Sequence, residues 1–167
     1  DGDGRVEEFV NNGYEMFRFW QHLANAGLIE GSYTGVRGAS GVYHHILGTN
    51  APRSKLSNAG WGFSSLDSFG GDVNTYALDY GNMFWFGSVV GSERPQGEVL
   101  KPEEAWNIDT KVDDGKPATG KVIMRNNNTY AWGNAAACTT STSQTDYAGL
   151  YNLSSSPVAC ALMIRQQ

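Results

Sequence analysis

Apolar positions recur at helical spacing near the start of the chain. In residues 7–28, EEFVNNGYEMFRFWQHLANAGL, Val10, Phe17, Trp20, Ala24 and Leu28 follow one another at steps of seven, three, four and four. Glu15, Arg18, His22 and Asn25 form the opposite polar stripe, and Gly27 and Gly31 offer places to stop. The spacing predicts a long amphipathic helix over 7–28, lying against a sheet. Residues 31–74 then lose any period under Gly, Ser and Asn; they read as an irregular excursion with one short strand near Val42 to Leu47. TYALDY and MFWFGSVV, either side of Gly81-Asn82, predict a hairpin over 75–90.

The second half is shorter in period. Leu100 to Gly115 reads as a helix: Pro102 suits the first turn, Glu103 and Glu104 suit the positive helix start, and Ala105, Ile108 and Val112 make an apolar stripe. Gly115 is a left-handed stop and Pro117 forbids continuation. GKVIMR (120–125) and PVACALMIR (157–165) read as strands. The order is a long helix, irregular loops, a hairpin, a short helix, a strand, a closed loop and a terminal strand. It predicts an α+β domain spanning 1–167, with the helix on an antiparallel sheet.

Length changes this little: 167 residues suit one domain that buries roughly 70% of its unfolded surface. Charge narrows the partners. The net charge is −5, only 17% of residues are charged, and Lys and Arg are scattered, so no nucleic-acid partner is expected. No apolar run approaches 18 residues, so no helical membrane span is expected. No leader precedes Asp1, from which a mature or trimmed chain is expected. Cys138 and Cys160, the only cysteines, flank the polar run TTSTSQT and read as one disulfide. Closing a loop of that length contributes about 3 kcal/mol in the chain-entropy view and implies an oxidising compartment.

Three segments carry further weight together. EMFRFWQHLANAGLIEGSYTG (15–35) resembles the E-x-x-x-x-W-x-H-L-x-x-A-G-L-I-x-G-x-Y segment in the heads of bacterial type IV pilin-like proteins. LKPEEAWNIDTKVDDGKPATGKV (100–122) resembles the same family's Pro-Glu-x-Ala helix running into I-D-x-K-x-D-D-G-x-P-x-x-G. The late Cys138–Cys160 pair matches its usual C-terminal disulfide loop. The resemblance implies a pilin-like head, and a structural subunit polymerising with copies of itself into an extracellular filament for adhesion, motility or attachment. It implies pilus or secretion machinery as further partners, and a periplasmic or inner-membrane pool before assembly. The family's apolar N-terminal helix, its contact with the inner membrane, is not among these residues. A pseudopilin of a type II secretion system and a minor-pilin or adhesin binding module share the plan and stand as alternatives.

Candidate chemistry is sparse, and no enzyme is expected. Asp109 and Asp113 share a helix face, and Asp113-Asp114-Gly115 ends the helix where a carboxylate opposes the dipole. The expectation is a turn lock: Asp109, Asp113 and Asp114 accept backbone N–H bonds from Lys116 to Gly120, with Gly115 and Gly120 supplying the turn. Calcium is the alternative there, and at DGDGRVEE, where Asp1 and Asp3 begin a calcium-loop pattern without its distal ligands. No cofactor is otherwise expected, and no nucleophile accompanies an acid/base pair. Adjacent His44 and His45 would point apart on a strand, poor geometry for zinc. Trp61, Phe63, Tyr76, Tyr80, Phe84, Trp85, Phe86 and Trp132 either line a sugar-stacking surface or fill the core.

Overall fold

The computed structural model describes residues 3–8, 14–66, 74–125 and 135–166. Helix α1 is Tyr14–Asn25. Strands β1 (Ala59–Leu66), β2 (Gly81–Val89) and β3 (Pro95–Gly97) follow, then α2 (Pro102–Val112), β4 (Val122–Met124), the single turn α3 (Ala135–Cys138) and β5 (Leu162–Arg165). The five strands form one antiparallel sheet in the order β1-β2-β5-β4, with β3 paired to the end of β2.

The long N-terminal helix packed on a sheet, and with it the pilin-like head plan read from the sequence, is overturned. What stands is a five-stranded antiparallel sheet with two short helices. Residues 3–8 are not helical, because Val6 bonds to the sheet through both its main-chain groups. Ser65 N–H donates to the Val6 carbonyl at 2.7 Å, and Val6 N–H donates to Asn82 Oδ1 at 3.2 Å. At the other end Gly27, at φ +69°, closes α1. Leu28 N–H reaches back to the Leu23 carbonyl and Gly27 N–H to that of Ala24, the paired bonds of a Schellman stop. Leu28, counted on the apolar stripe, is therefore exposed.

The hairpin expected at 75–90 is also corrected. The strand that precedes β2 and pairs with it is β1, in register from Ala59↔Ser88 to Leu66↔Gly81. Tyr76 and Tyr80 are fully buried plugs outside any strand. β1 itself, AGWGFSSL, lies inside the stretch read as irregular. Its glycines allow close approach: a Cβ on Gly60 would come within 2.7 Å of the Pro52 carbonyl oxygen. No strand forms at 42–47, where only Leu47 bridges to Ala51. β5 is shorter than read, starting at Leu162, with Cys160 bridged to Leu100 ahead of it. α2 is close to expectation: Pro102 opens it and Lys101 N–H donates to Glu104 Oε2 at 2.8 Å, but Val112 is exposed.

Side chains alternate across the sheet. One face presents Leu66, Met83, Trp85, Ile123 and Met163, covered by Tyr76, Tyr80 and Ala118. The other is covered in two places. α1 lays Trp20 and Phe19 over Phe63, with the Phe19 and Phe63 rings stacked at 3.9 Å. α2 and the disulfide cover Phe86, Val122, Met124 and Leu162 through Ala105, Cys138 and Cys160.

Candidate functional site

Two features stand out: a knot of carboxylates at the end of α2, and an open groove on the sheet face between the two covers.

The knot is built by the turn from α2 into β4. Asp109, buried on the last turn of α2, accepts from Gly115 N–H at 3.1 Å through Oδ1 and from the Tyr151 hydroxyl at 2.8 Å through Oδ2. Asp114 accepts from Lys116 N–H at 2.9 Å and from Thr119 Oγ1 at 2.5 Å. Asp113 Oδ2 accepts from Val122 N–H at 2.9 Å and, by a still shorter bond, from Lys121 N–H. The carboxylates thus hold the two limbs of the turn together and reach past Gly120 to Lys121 and Val122, the first residue of β4, two residues further than expected. Gly115 (φ +72°) and Gly120 (φ +76°) are left-handed, and a Cβ on Gly120 would collide with the Asp113 carboxylate.

Ligand atoms of Asp109, Asp113 and Asp114 lie within 4.8 Å of one another, a spacing a hard cation could use. Each carboxylate nonetheless already accepts from the protein. Burial pushes the Asp109 carboxyl up to about 6; its bonds from Tyr151 and Gly115 work against this, and Asp114 and Asp113 add to it. Burial and the neighbouring Asp109 likewise raise the Tyr151 phenol. Asp3 is exposed, accepts from Arg5 N–H at 2.9 Å and does not join the knot; Asp1 lies outside the described residues.

Tyr151 ties the knot to the disulfide. Cys138 and Cys160 are bonded, both fully buried, with Cα atoms 5.4 Å apart. Inside the loop they close, Thr139 bridges to Tyr151, and Asn152 N–H donates to the Cys138 carbonyl at 2.8 Å. The loop then reaches the other face: Tyr147 Oη donates to the Ala77 carbonyl at 2.8 Å.

The groove encloses about 690 Å³ and is lined by Trp20, Tyr33, Arg53, Trp61, Phe84 and Ile164 among others. Of the aromatics singled out from the sequence, Phe63, Tyr76, Tyr80, Trp85 and Phe86 are buried. Trp61 and Phe84 are half-buried and reach the groove, and Trp132 lies outside the described residues.

Sequence reasoning missed a third arrangement, a buried ion pair. Glu8 accepts from Arg94 through both oxygens, at 2.6 and 3.0 Å, and from Ser64 Oγ at 2.7 Å. The partners are 86 residues apart, and no spacing rule reaches that far. His44 and His45 do not converge on a metal: His45 is buried and His44 is half-buried, with its Nδ1 accepting from Ser40 N–H. No known protein family, curated protein or solved structure matches the chain.

Proposed function

We propose that this chain is part of a pilin-type structural subunit, assembling with copies of itself into an extracytoplasmic filament and performing no catalysis. The carrying observation is the use made of the I-D-x-K-x-D-D-G segment. All three of its carboxylates are engaged as acceptors within the turn and its disulfide-closed neighbour. A segment used in this way serves the geometry of its own turn, which supports a structural role. The buried disulfide supports an oxidising compartment, cell surface or periplasm. This reading rests on the motifs and the disulfide, not on the long-helix plan corrected above. Polymerisation, and attachment to the inner membrane before assembly, would run through a helix outside these residues. The groove favours a second reading, a minor-pilin or adhesin binding module, because half-buried aromatics over an open concavity can take a ligand.

Immunogold labelling of the native protein on cells tests the first reading. Label along surface filaments is the expected result. Label confined to the envelope would replace the pilin with a pseudopilin, and label at filament tips alone would favour the adhesin module.

A further inference from the structure

Beside β1, polar and charged groups from four distant pieces of chain meet out of water. The Arg94 guanidinium, forked onto Glu8, lies 4.1 Å from the centre of the Tyr43 ring and 4.6 Å from that of Trp85. Trp85 Nε1 donates to Ser64 Oγ at 2.8 Å. His45 closes the cluster. Its main-chain N–H donates to the Glu93 carbonyl at 3.3 Å, and its ring sits 4.7 Å from that of Phe17 on α1. Nδ1 is 2.7 Å from the Tyr43 carbonyl oxygen, so Nδ1 carries the proton and donates it. Nε2 is then a bare acceptor. It is buried without a hydrogen-bond partner among the described residues and faces Gly62, where a Cβ would stand 3.4 Å away.

We infer that His45 is an acid-operated latch: a proton taken up at Nε2 sets a second cation beside Arg94, with no acceptor for it among the described residues, and frees residues 3–8 from the sheet and 43–45 from the 93–95 segment. Every element around the ring bears on this. α1 offers Phe17 and β1 offers Gly62. The 93–95 segment brings Arg94, whose charge opposes a second cation, and the Glu93 carbonyl. The ring's own loop brings His44, which also opposes it, and the Tyr43 hydroxyl, which burial pushes up to about 12 and so keeps neutral. Two carboxyls serve the same cluster: Glu8 is already engaged by Arg94 and Ser64, and Glu93, which burial pushes up, also acts on Arg94.

Burial, the largest influence, lowers the His45 ring to about 4, against 6.5 in the open chain. The closed state therefore binds fewer protons than the open one. Closure is at full strength above pH 6.5 and weakens as pH falls towards 4, by up to about tenfold per pH unit.

Amide hydrogen exchange on the whole chain between pH 7.5 and 4, corrected for intrinsic rates, tests this. The amides to watch are Val6, His45 and Ser65, with those of the β4–β5 pair as reference. Opening at the three sites should rise by up to about tenfold per pH unit below 6 while the reference stays protected. In His45→Phe the three sites should lose that dependence; His45→Gln serves if the Phe variant does not fold. Three results would overturn the latch. One is the same acid opening in the variant, which would pass the trigger to another group. Another is a loss of protection at all sites together. The last is nitrogen chemical shifts showing the His45 ring charged at pH 6.

Discussion

Asp113 decides between a lock and a metal site. It holds Lys121 and Val122 to the end of α2 by two charge-assisted bonds. Each such bond is worth about 1.5–3 kcal/mol, so Asp113→Ala should lower stability by up to about 3–6 kcal/mol in denaturant titration. The loss should be the same with or without divalent metal, and EDTA should leave the parent's melting temperature unchanged. A parent destabilised by EDTA, with Asp113→Ala indifferent to it, would establish calcium instead. Asp109 carries a prediction of opposite sign. Its carboxyl titrates near 6 when folded, above the ordinary 3.8, so folding favours its protonated form. That contribution is complete below pH 3.8 and is lost as pH rises through 6. The shift corresponds to about 3 kcal/mol. Asp109→Asn keeps an acceptor for Gly115 and cannot ionise. Relative to the parent it should gain stability by about 2–3 kcal/mol between pH 4 and pH 7, as read from melting temperatures at the two pH values. A constant difference would show that Asp109 is not held above its ordinary range.

Among the elements, β1 is the one most dependent on small residues. Gly60 lies under Leu47 and the Pro52 carbonyl, where an added methyl meets backbone and cannot be relieved by a rotamer change. Gly60→Ala should cost about 1–3 kcal/mol, measured by urea unfolding. An unchanged midpoint would mean that the 47–52 loop yields. The disulfide is the second element-level constraint. It joins α3 to the segment entering β5, and both sulfurs are out of water. Protein isolated natively should show no alkylatable thiol by mass spectrometry, and Cys138→Ala should cost about 2–4 kcal/mol. Two free thiols in native protein would remove the argument for an oxidising compartment.

At the level of the whole molecule, the described surface gives weak grounds for self-association. Its exposed large apolar residues are spread from Leu28, Val36, Ile46 and Leu56 to Val112 and the loop of Leu150, Leu153 and Val158. Isolated apolar residues at a surface are normal, and contiguous patches drive assembly. These 167 residues should therefore be monomeric in light scattering at micromolar concentration. Spontaneous filaments would place the assembly contacts in these residues themselves, whereas the proposed function places them in a helix beyond them.

What the amino-acid order determined by itself is local. Pro102 and Glu104 open α2, which ends at Val112 ahead of the Gly115 stop, Gly27 stops α1, and the lone cysteine pair leaves one possible bridge, because the signals lie close to the groups they satisfy. Asp113 and Asp114 could be seen as a turn lock for the same reason. Tertiary structure alone decided the rest. Gly60 and Gly62 look like loop punctuation, yet they sit within a strand because other segments press against them. Glu7 and Glu8, which read as the start of a helix, lie in an extended segment along the sheet because Val6 and Glu8 find Ser65 and Arg94 there. Asp109 is buried because Tyr151, 42 residues on, closes over it. Trp61 faces a groove while Trp85 is sealed beneath an arginine, although both sit in aromatic strands of similar composition. Burial and ladder pairing are made by residues far apart in the chain, and short-range periodicity carries no information about which of them meet.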